Sequence, residues 1–220
     1  MLERARFAPS PTGPLHIGGL RTALFNFLVA KKSGGSFILR IEDTDAKRTV
    51  KGAEKHIIDS LKWLGLEFDE GPVRQSSRGN LYKKSVSILI EKGLAYYAFD
   101  TPNDLEKARE QSGGNFKYNF TTRMEMSNSL TLTNDETESR IQRGGYSVRM
   151  VVPEKRTIKV VDQVRGGLSF SSEELEDKII MKSDGMPTYH LANVVDDHDM
   201  KITSVIRGEE WLSSLPSHVL

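Results

Sequence analysis

Apolar positions change their spacing several times along this 220-residue chain, and each change marks a new element. Arg6-Phe7-Ala8 extends into a strand before Pro9, Pro11, Gly13 and Pro14 enforce a tight loop. From Leu20 the apolar residues Leu20, Ala23, Leu24, Phe27 and Leu28 recur three or four apart, which predicts one face of an amphipathic helix. Lys31 and Lys32 suit the negative end of its dipole, and Gly34-Gly35 end it. Ser36 to Ile41 is a nearly unbroken apolar run, the pattern of a buried parallel strand. Strand, helix and strand in this order form a βαβ unit, so the sheet is expected to be parallel and doubly wound.

Further helices are expected over 51–64, with Ile57, Ile58, Leu61 and Leu64 on one face, and over 81–92, each stopped by a glycine (Gly65, Gly93). Residues 71–76 between them read as a loop. After Lys92 the character shifts. A strand over Leu94–Phe99 leads to a helix capped by Thr101 with Pro102 in its first turn. One helix falls within Thr131–Gly144, and strands follow at Ser147–Val152, Thr157–Asp162, Leu168–Phe170 and Lys178–Lys182. This stretch reads as an antiparallel α+β insertion. A helix then starts at Tyr189, a buried strand is expected over Lys201–Arg207, and a helix over 209–220 with Trp211, Leu212, Leu215 and Leu220 on its apolar side.

Composition narrows the class. Charged residues make up 28% and hydrophobic ones 37%, ordinary for a globular protein, and the net charge of +1 gives no global field for nucleic acid. Cysteine is absent, which removes disulfides, thiolate metal sites and a Cys nucleophile and fits a reducing compartment. The charged N-terminus lacks the apolar core of a signal peptide, and no run nears the ~18 apolar residues of a membrane span, so no membrane is expected.

Candidate chemistry collects at the ends of the predicted strands, where open α/β sheets bind ligands. A Gly-containing loop entering a helix N-terminus points free N–H groups and the positive dipole end at one spot, and His16 stands there. Glu42, Asp43 and Asp45 follow the second strand; Thr44 or Asp45 is expected to cap the next helix. Asp196, Asp197, His198 and Asp199 invite a metal reading, but successive helical residues point apart, so no metal site is expected.

Several strings together carry a resemblance. His16-Ile17-Gly18-Gly19 resembles the "HIGH" signature of class I aminoacyl-tRNA synthetases, with Gly19 where the general signature has a second His. Arg6 to Gly13, Arg40-Ile41-Glu42-Asp43-Thr44-Asp45, the Gly71-Pro72-Val73-Arg74-Gln75-Ser76 loop, Tyr189 to His198 and Arg207-Gly208-Glu209-Glu210-Trp211-Leu212 look like the glutamyl and glutaminyl branch. The resemblance implies a Rossmann-like catalytic sheet of the class I (HUP) type, with residues 1–80 as its first half, 81–188 as an inserted domain holding the tRNA acceptor end, and 189–220 opening the second half. It implies His16, Gly18 and Gly19 as catalytic. Arg6, Ala8, Ser10, Glu42, Tyr189, Asn193 and Arg207 would bind glutamate, with Glu42 meeting its amino group. Pro9, Thr12, Gly13, His16, Gly18, Glu210 and Trp211 would bind ATP, which brings Mg²⁺.

The implied reaction activates L-glutamate to an adenylate and transfers it to the 3′ end of tRNA(Glu) in a cytoplasmic, monomeric enzyme. A side-chain carboxylate suits an arginine fork, and Arg6 and Arg207 at two strand ends supply one each. The family's lysine-rich "KMSK" loop and anticodon domain have no counterpart here. The chain is therefore expected to be truncated at its C-terminus and unable to charge tRNA at a useful rate. Two alternatives remain at this point: an enzyme resembling glutamyl-queuosine tRNA synthetases, which share the fold, and a non-catalytic nucleotide- or RNA-binding module derived from a synthetase.

Overall fold

Strands β1 (Arg4–Phe7) and β2 (Ser36–Ile41) pair in parallel, with Phe7 opposite Leu39. The residues just before them approach so closely that a Cβ on Gly35 would lie 1.9 Å from the Glu3 carbonyl oxygen, so no side chain fits there. β3 (Glu70–Arg74) adds on the other side of β2, and Ser204 makes a parallel bridge to Ala5 on the free side of β1. The chain thus winds outward from β1 to β3 and returns to the opposite side, the reversal that opens a crevice at the strands' carboxyl ends. These coordinates are a computed structural model that describes residues 2–220; the chain divides into two compact units, residues up to Leu81 with 192–213, and 82–191 with 214–220.

In the first unit, helices α1 (Ile17–Lys32) and α2 (Ala53–Trp63) cover the sheet. Ala5, Phe7, Phe37, Leu39, Ile41, Ala23, Ala30, Ile57, Leu61 and Leu66 form its core. α3 (Gly79–Glu91) leads out of it. The βαβ unit expected from the hydrophobic pattern is present; several details differ. α1 begins at Ile17 rather than Leu20, because His16 caps it. Its inner face is Ala23, Asn26 and Ala30, whereas Leu24 and Leu28 are exposed. A buried Asn defeats a purely apolar periodicity: the Asn26 amide donates to the Thr22 and Ile206 carbonyls and so pins the returning segment. In the stretch 71–76, expected as a loop, residues 70–74 are instead a strand, since a parallel neighbour supplies hydrogen bonds that no local pattern announces, and a 3₁₀ turn follows at Gln75–Arg78. α2 is capped by Gly52, not by Thr44 or Asp45; Asp45 instead accepts from the Lys47 amide in a local turn. The expected strand over 201–207 reduces to the single bridge at Ser204, with Lys201 at φ 56 and Val205 exposed. Residues 209–220 split into a 3₁₀ turn (Glu209–Ser214) and the short helix α7 (Leu215–Val219), where Pro216 fits only a first turn. Of the expected apolar side, Trp211 and Leu220 are exposed and Leu212 and Leu215 half-buried.

The second unit is antiparallel. β4 (Ala95–Ala98), β5 (Ser147–Met150) and β8 (Ile179–Met181) form one sheet, and β6 (Thr157–Asp162) with β7 (Gly166–Ser171) a hairpin. α4 (Pro102–Gln111) and α5 (Asn134–Arg143) both start with a capping box, at Thr101 and Thr133. α6 (Tyr189–Asp199) begins in this unit and from Ala192 onward belongs to the first.

A buried polar group anchors this unit. Fully buried Asp177 accepts from the Tyr96 hydroxyl at 2.8 Å and the Val152 amide at 2.9 Å, and the Arg123 guanidinium lies 3.3 Å away. Arg149 donates to the Asp177 carbonyl and stacks on Tyr118, 3.8 Å from the ring centroid. Burial pushes the Asp177 carboxyl up, against the pull of its donors and of Arg123 and Arg149. Removing one partner of such a pair leaves the others buried and unpaired. Asp177→Ala is expected to cost this unit about 3 kcal/mol. Hydrogen exchange at the β4 and β5 amides checks it; unchanged protection there would contradict an anchoring role.

Candidate active site

The site starts from one residue that the apolar pattern of β2 conceals. Arg40 is fully buried in a strand whose neighbours are Leu39 and Ile41. A buried guanidinium must be paired, and α6 supplies the partners. Asn193, Asp196, Asp197 and Met200 are spaced i, i+3, i+4 and i+7, so they share one helix face. Arg40 donates to Asp197 at 2.6 Å, to the Asn193 Oδ1 at 3.0 Å and to Glu42 at 3.3 Å, with Asp196 at 3.8 Å. Asp196 also accepts from Gln75 and Arg78, each at 2.8 Å, and Arg78 reaches on to Asp199. Asp196 and Asp197, expected to point apart, both face Arg40; beyond it Asp196 engages Gln75 and Arg78, and Asp197 engages Arg6.

Arg6, at the end of β1 and only 3% exposed, donates through Nε to Asp197 at 2.9 Å and through Nη2 to Asn193 at 3.2 Å. Arg207 donates to the same Asn193 oxygen at 3.0 Å and lies 5.7 Å from the Trp211 ring. Three guanidinium groups, of Arg6, Arg40 and Arg207, therefore converge on one amide oxygen. Only the oxygen of an Asn can face three donors, so its amide orientation is fixed by chemistry. Burial raises the Asp197 carboxyl, but Arg6 and Arg40 outweigh it and hold the group below the usual carboxylate range. At Glu42 burial wins: the carboxyl is pushed up despite Arg40, Arg6 and Arg207. Its backbone N–H donates to the Pro9 carbonyl, which ties the loop after β1 to the end of β2.

His16 stands at the N-cap of α1, exposed, with Nδ1 accepting from the Gly18 amide at 3.1 Å. That bond makes Nδ1 the acceptor, so in the neutral ring Nε2 carries the proton and remains a donor beside the helix N-terminus. A Cβ on Gly18 would come within 2.9 Å of the His16 ring, so a side chain there would displace the ring, and one on Gly19 would come within 2.6 Å of Leu15 Cδ1, which would have to turn aside. His56, on α2, accepts from the Leu15 amide and braces the same loop.

Of the residues predicted for the site, Arg6, Glu42, Asn193 and Arg207 are thus brought together in one charged cluster. Ala8 and Pro9 follow β1 and are half-buried, and Ser10 and Thr12 are exposed on the loop with Gly13. Glu210 is exposed just past Arg207. Tyr189 opens α6 one turn ahead of Asn193, its ring 5.6 Å from His190 and 5.5 Å from His218 in the second unit. Sequence reading gave Arg40, Gln75 and Arg78 no role and weighed Asp196 and Asp197 only as metal ligands. The signal was available: a charge inside an apolar strand must find partners, and a polar i, i+3, i+4 face on a helix offers them.

Comparison with known proteins agrees with this geometry. Residues 3–220 match the family model for tRNA synthetases class I (E and Q), catalytic domain, and the chain belongs to that family. A glutamate–tRNA ligase of Azobacteroides pseudotrichonymphae is 59% identical over all of this chain and 45% of its own length. One of Flavobacterium psychrophilum is 54% identical over 99% of this chain and 46% of its own. The crystal structure of a glutamate tRNA ligase from Elizabethkingia meningosepticum in complex with its amino acid superposes with a TM-score of 0.95 at 46% identity, covering all of this chain and 46% of that one. The chain therefore spans a little under half the length of these relatives, and it carries the Rossmann-like class I catalytic fold.

The raised Glu42 carboxyl has a stability consequence. Because its folded pKa lies above the ordinary 4.5, its ionised form is a penalty, full above the folded pKa and absent below 4.5. Glu42→Gln is expected to be at least as stable as the wild type at pH 7, with an advantage that shrinks as pH falls toward 4.5. Denaturation of both proteins across this range checks it; a Gln variant less stable at pH 7 would contradict it.

Proposed function

We propose that this chain binds L-glutamate and ATP and carries the glutamate-activating part of a glutamate–tRNA ligase. The observation that carries this reading is the convergence of Arg6 and Arg207 beside Glu42 in the first unit. Two guanidinium groups offer forked donors to the two carboxylates of glutamate, and Glu42 offers an acceptor to its ammonium group. Ala8 and Ser10 would complete the glutamate pocket in this reading. The relatives' names, glutamate–tRNA ligase, support the same substrate.

Activation forms a bond between a glutamate carboxylate oxygen and the α-phosphorus of ATP and breaks the bond to pyrophosphate. The step is an in-line displacement that needs alignment and charge stabilisation rather than a protein nucleophile. His16, through its Nε2–H, and the N–H groups at the start of α1, with Gly18 and Gly19 admitting the nucleotide closely, would stabilise the phosphates. Pro9, Thr12, Gly13, Glu210 and Trp211 would border the nucleotide. Mg²⁺ would accompany the phosphates and keep much of its water. The adenylate then passes glutamate to the terminal ribose of tRNA(Glu), with the second unit as the holder of the acceptor end. No described helix is long and apolar enough to cross a membrane.

A site built around buried arginines discriminates by charge. Glutamine would leave a guanidinium edge unpaired, at a cost on the order of 2–4 kcal/mol. Titration of the protein with each amino acid in the presence of ATP is expected to give glutamate the tighter binding by at least thirtyfold, roughly 2 kcal/mol. Equal affinity for glutamine would overturn the assignment.

A further inference from the structure

We propose that Asp197 is a positioning residue for the amino-acid site, holding Arg6 in the orientation that meets the substrate carboxylate while Arg40 braces it from behind. This rests on the glutamate reading above. One oxygen of Asp197, Oδ1, accepts from Arg6 Nε and from Arg40 Nη1. Asn193 Oδ1, one turn earlier on α6, accepts from Nη2 of the same two arginines. Arg6 is therefore gripped along its Nε–Nη2 edge by two acceptors on one helix face, which fixes the plane of the guanidinium. Its Nη1 has no protein partner among the described residues, although the side chain is almost wholly buried. A planar fork held along one edge and unpartnered at the remaining nitrogen is oriented for a ligand rather than for the fold.

The electrostatics require the carboxylate. Arg6, Arg40 and Arg207 surround one neutral amide oxygen, and like charges this close repel. Asp197 is the anion shared by the two buried ones. Without its charge, Arg6 is released to turn toward Glu42, whose field already includes it. The substrate's ammonium partner and carboxylate partner would then pair with each other, and glutamate would have to separate them. Asp199 supplies the contrast: it lies on the same helix, half-exposed, and its ion pair is with Arg78 rather than Arg6.

The test uses a chain of the relatives' full length with tRNA(Glu) present, since the resemblance implies that activation needs bound tRNA, and amino-acid-dependent ATP–pyrophosphate exchange as the readout. Asp197→Asn, which keeps size and loses charge, is expected to raise KM for glutamate about tenfold and leave KM for ATP within about twofold. It should also narrow the preference for glutamate over glutamine, while Asp199→Asn leaves KM for glutamate unchanged. Asp197→Glu, which restores the charge at a different reach, should fall between wild type and Asn, and it carries the comparison if the Asn variant does not fold. A lower melting temperature with unchanged glutamate KM and unchanged preference would reduce Asp197 to a structural ion pair and overturn the proposal. Tighter glutamate binding would also overturn it, because Asp197 would then be a competitor of the substrate. A wild type that exchanges with another amino acid and not with glutamate defeats the glutamate reading instead; the same KM comparison with that amino acid still decides whether Asp197 positions the site.

Discussion

A guanidinium buried in a parallel sheet is the constraint from which the first unit is built. Arg40 interrupts an apolar strand, and moving its charge out of water costs several kcal/mol unless carboxylates and amide oxygens surround it. Asp197, Glu42 and Asp196 outweigh that burial and keep the group charged. This demand fixes how α6 rotates about its axis, since only the face with Asn193, Asp196, Asp197 and Met200 can meet Arg40. Residues more than 150 positions apart in sequence are thereby locked together, and Arg6 and Arg207 inherit their places from the same helix.

Such an arrangement is expensive as packing. Hydrophobic residues of equal volume often stabilise a core more than buried ion pairs do. The second unit has a comparable cluster around Asp177, whose carboxyl is also pushed up by burial and whose neighbour Arg149 keeps a buried Nε without a partner. In the first unit Arg6 Nη1 has no partner among the described residues, and Glu42 is pushed toward its neutral form by burial. Groups held away from their own optimum are what a binding site for a charged molecule requires, because the ligand then supplies the missing partners.

The sequence conveyed much of this. Periodicity located β2, α2, β6 and the two capping-box helices, because each of those elements is specified by its own residues. It failed where the deciding partner was remote. β3 is a strand because β2 lies beside it, residues 201–207 are not a full strand because only Ser204 meets β1, and the inner face of α1 turns on an Asn that bonds a distant carbonyl. The site shows the same division. His16, Arg6, Glu42 and Arg207 stand out at loop and strand ends, whereas Arg40 and Asp197 acquire meaning only when the helix is laid against the strand.

The central claim is that the Arg6, Arg207 and Glu42 cluster is a receptor for the charged groups of glutamate. A crystal structure of this chain with L-glutamate measures it directly. The account predicts a carboxylate within hydrogen-bonding distance of Arg6 Nη1 or of the Arg207 guanidinium, the ammonium group at Glu42, and Arg6 still held by Asp197 and Asn193. Glutamate bound elsewhere, with these side chains still paired only to one another, would contradict it.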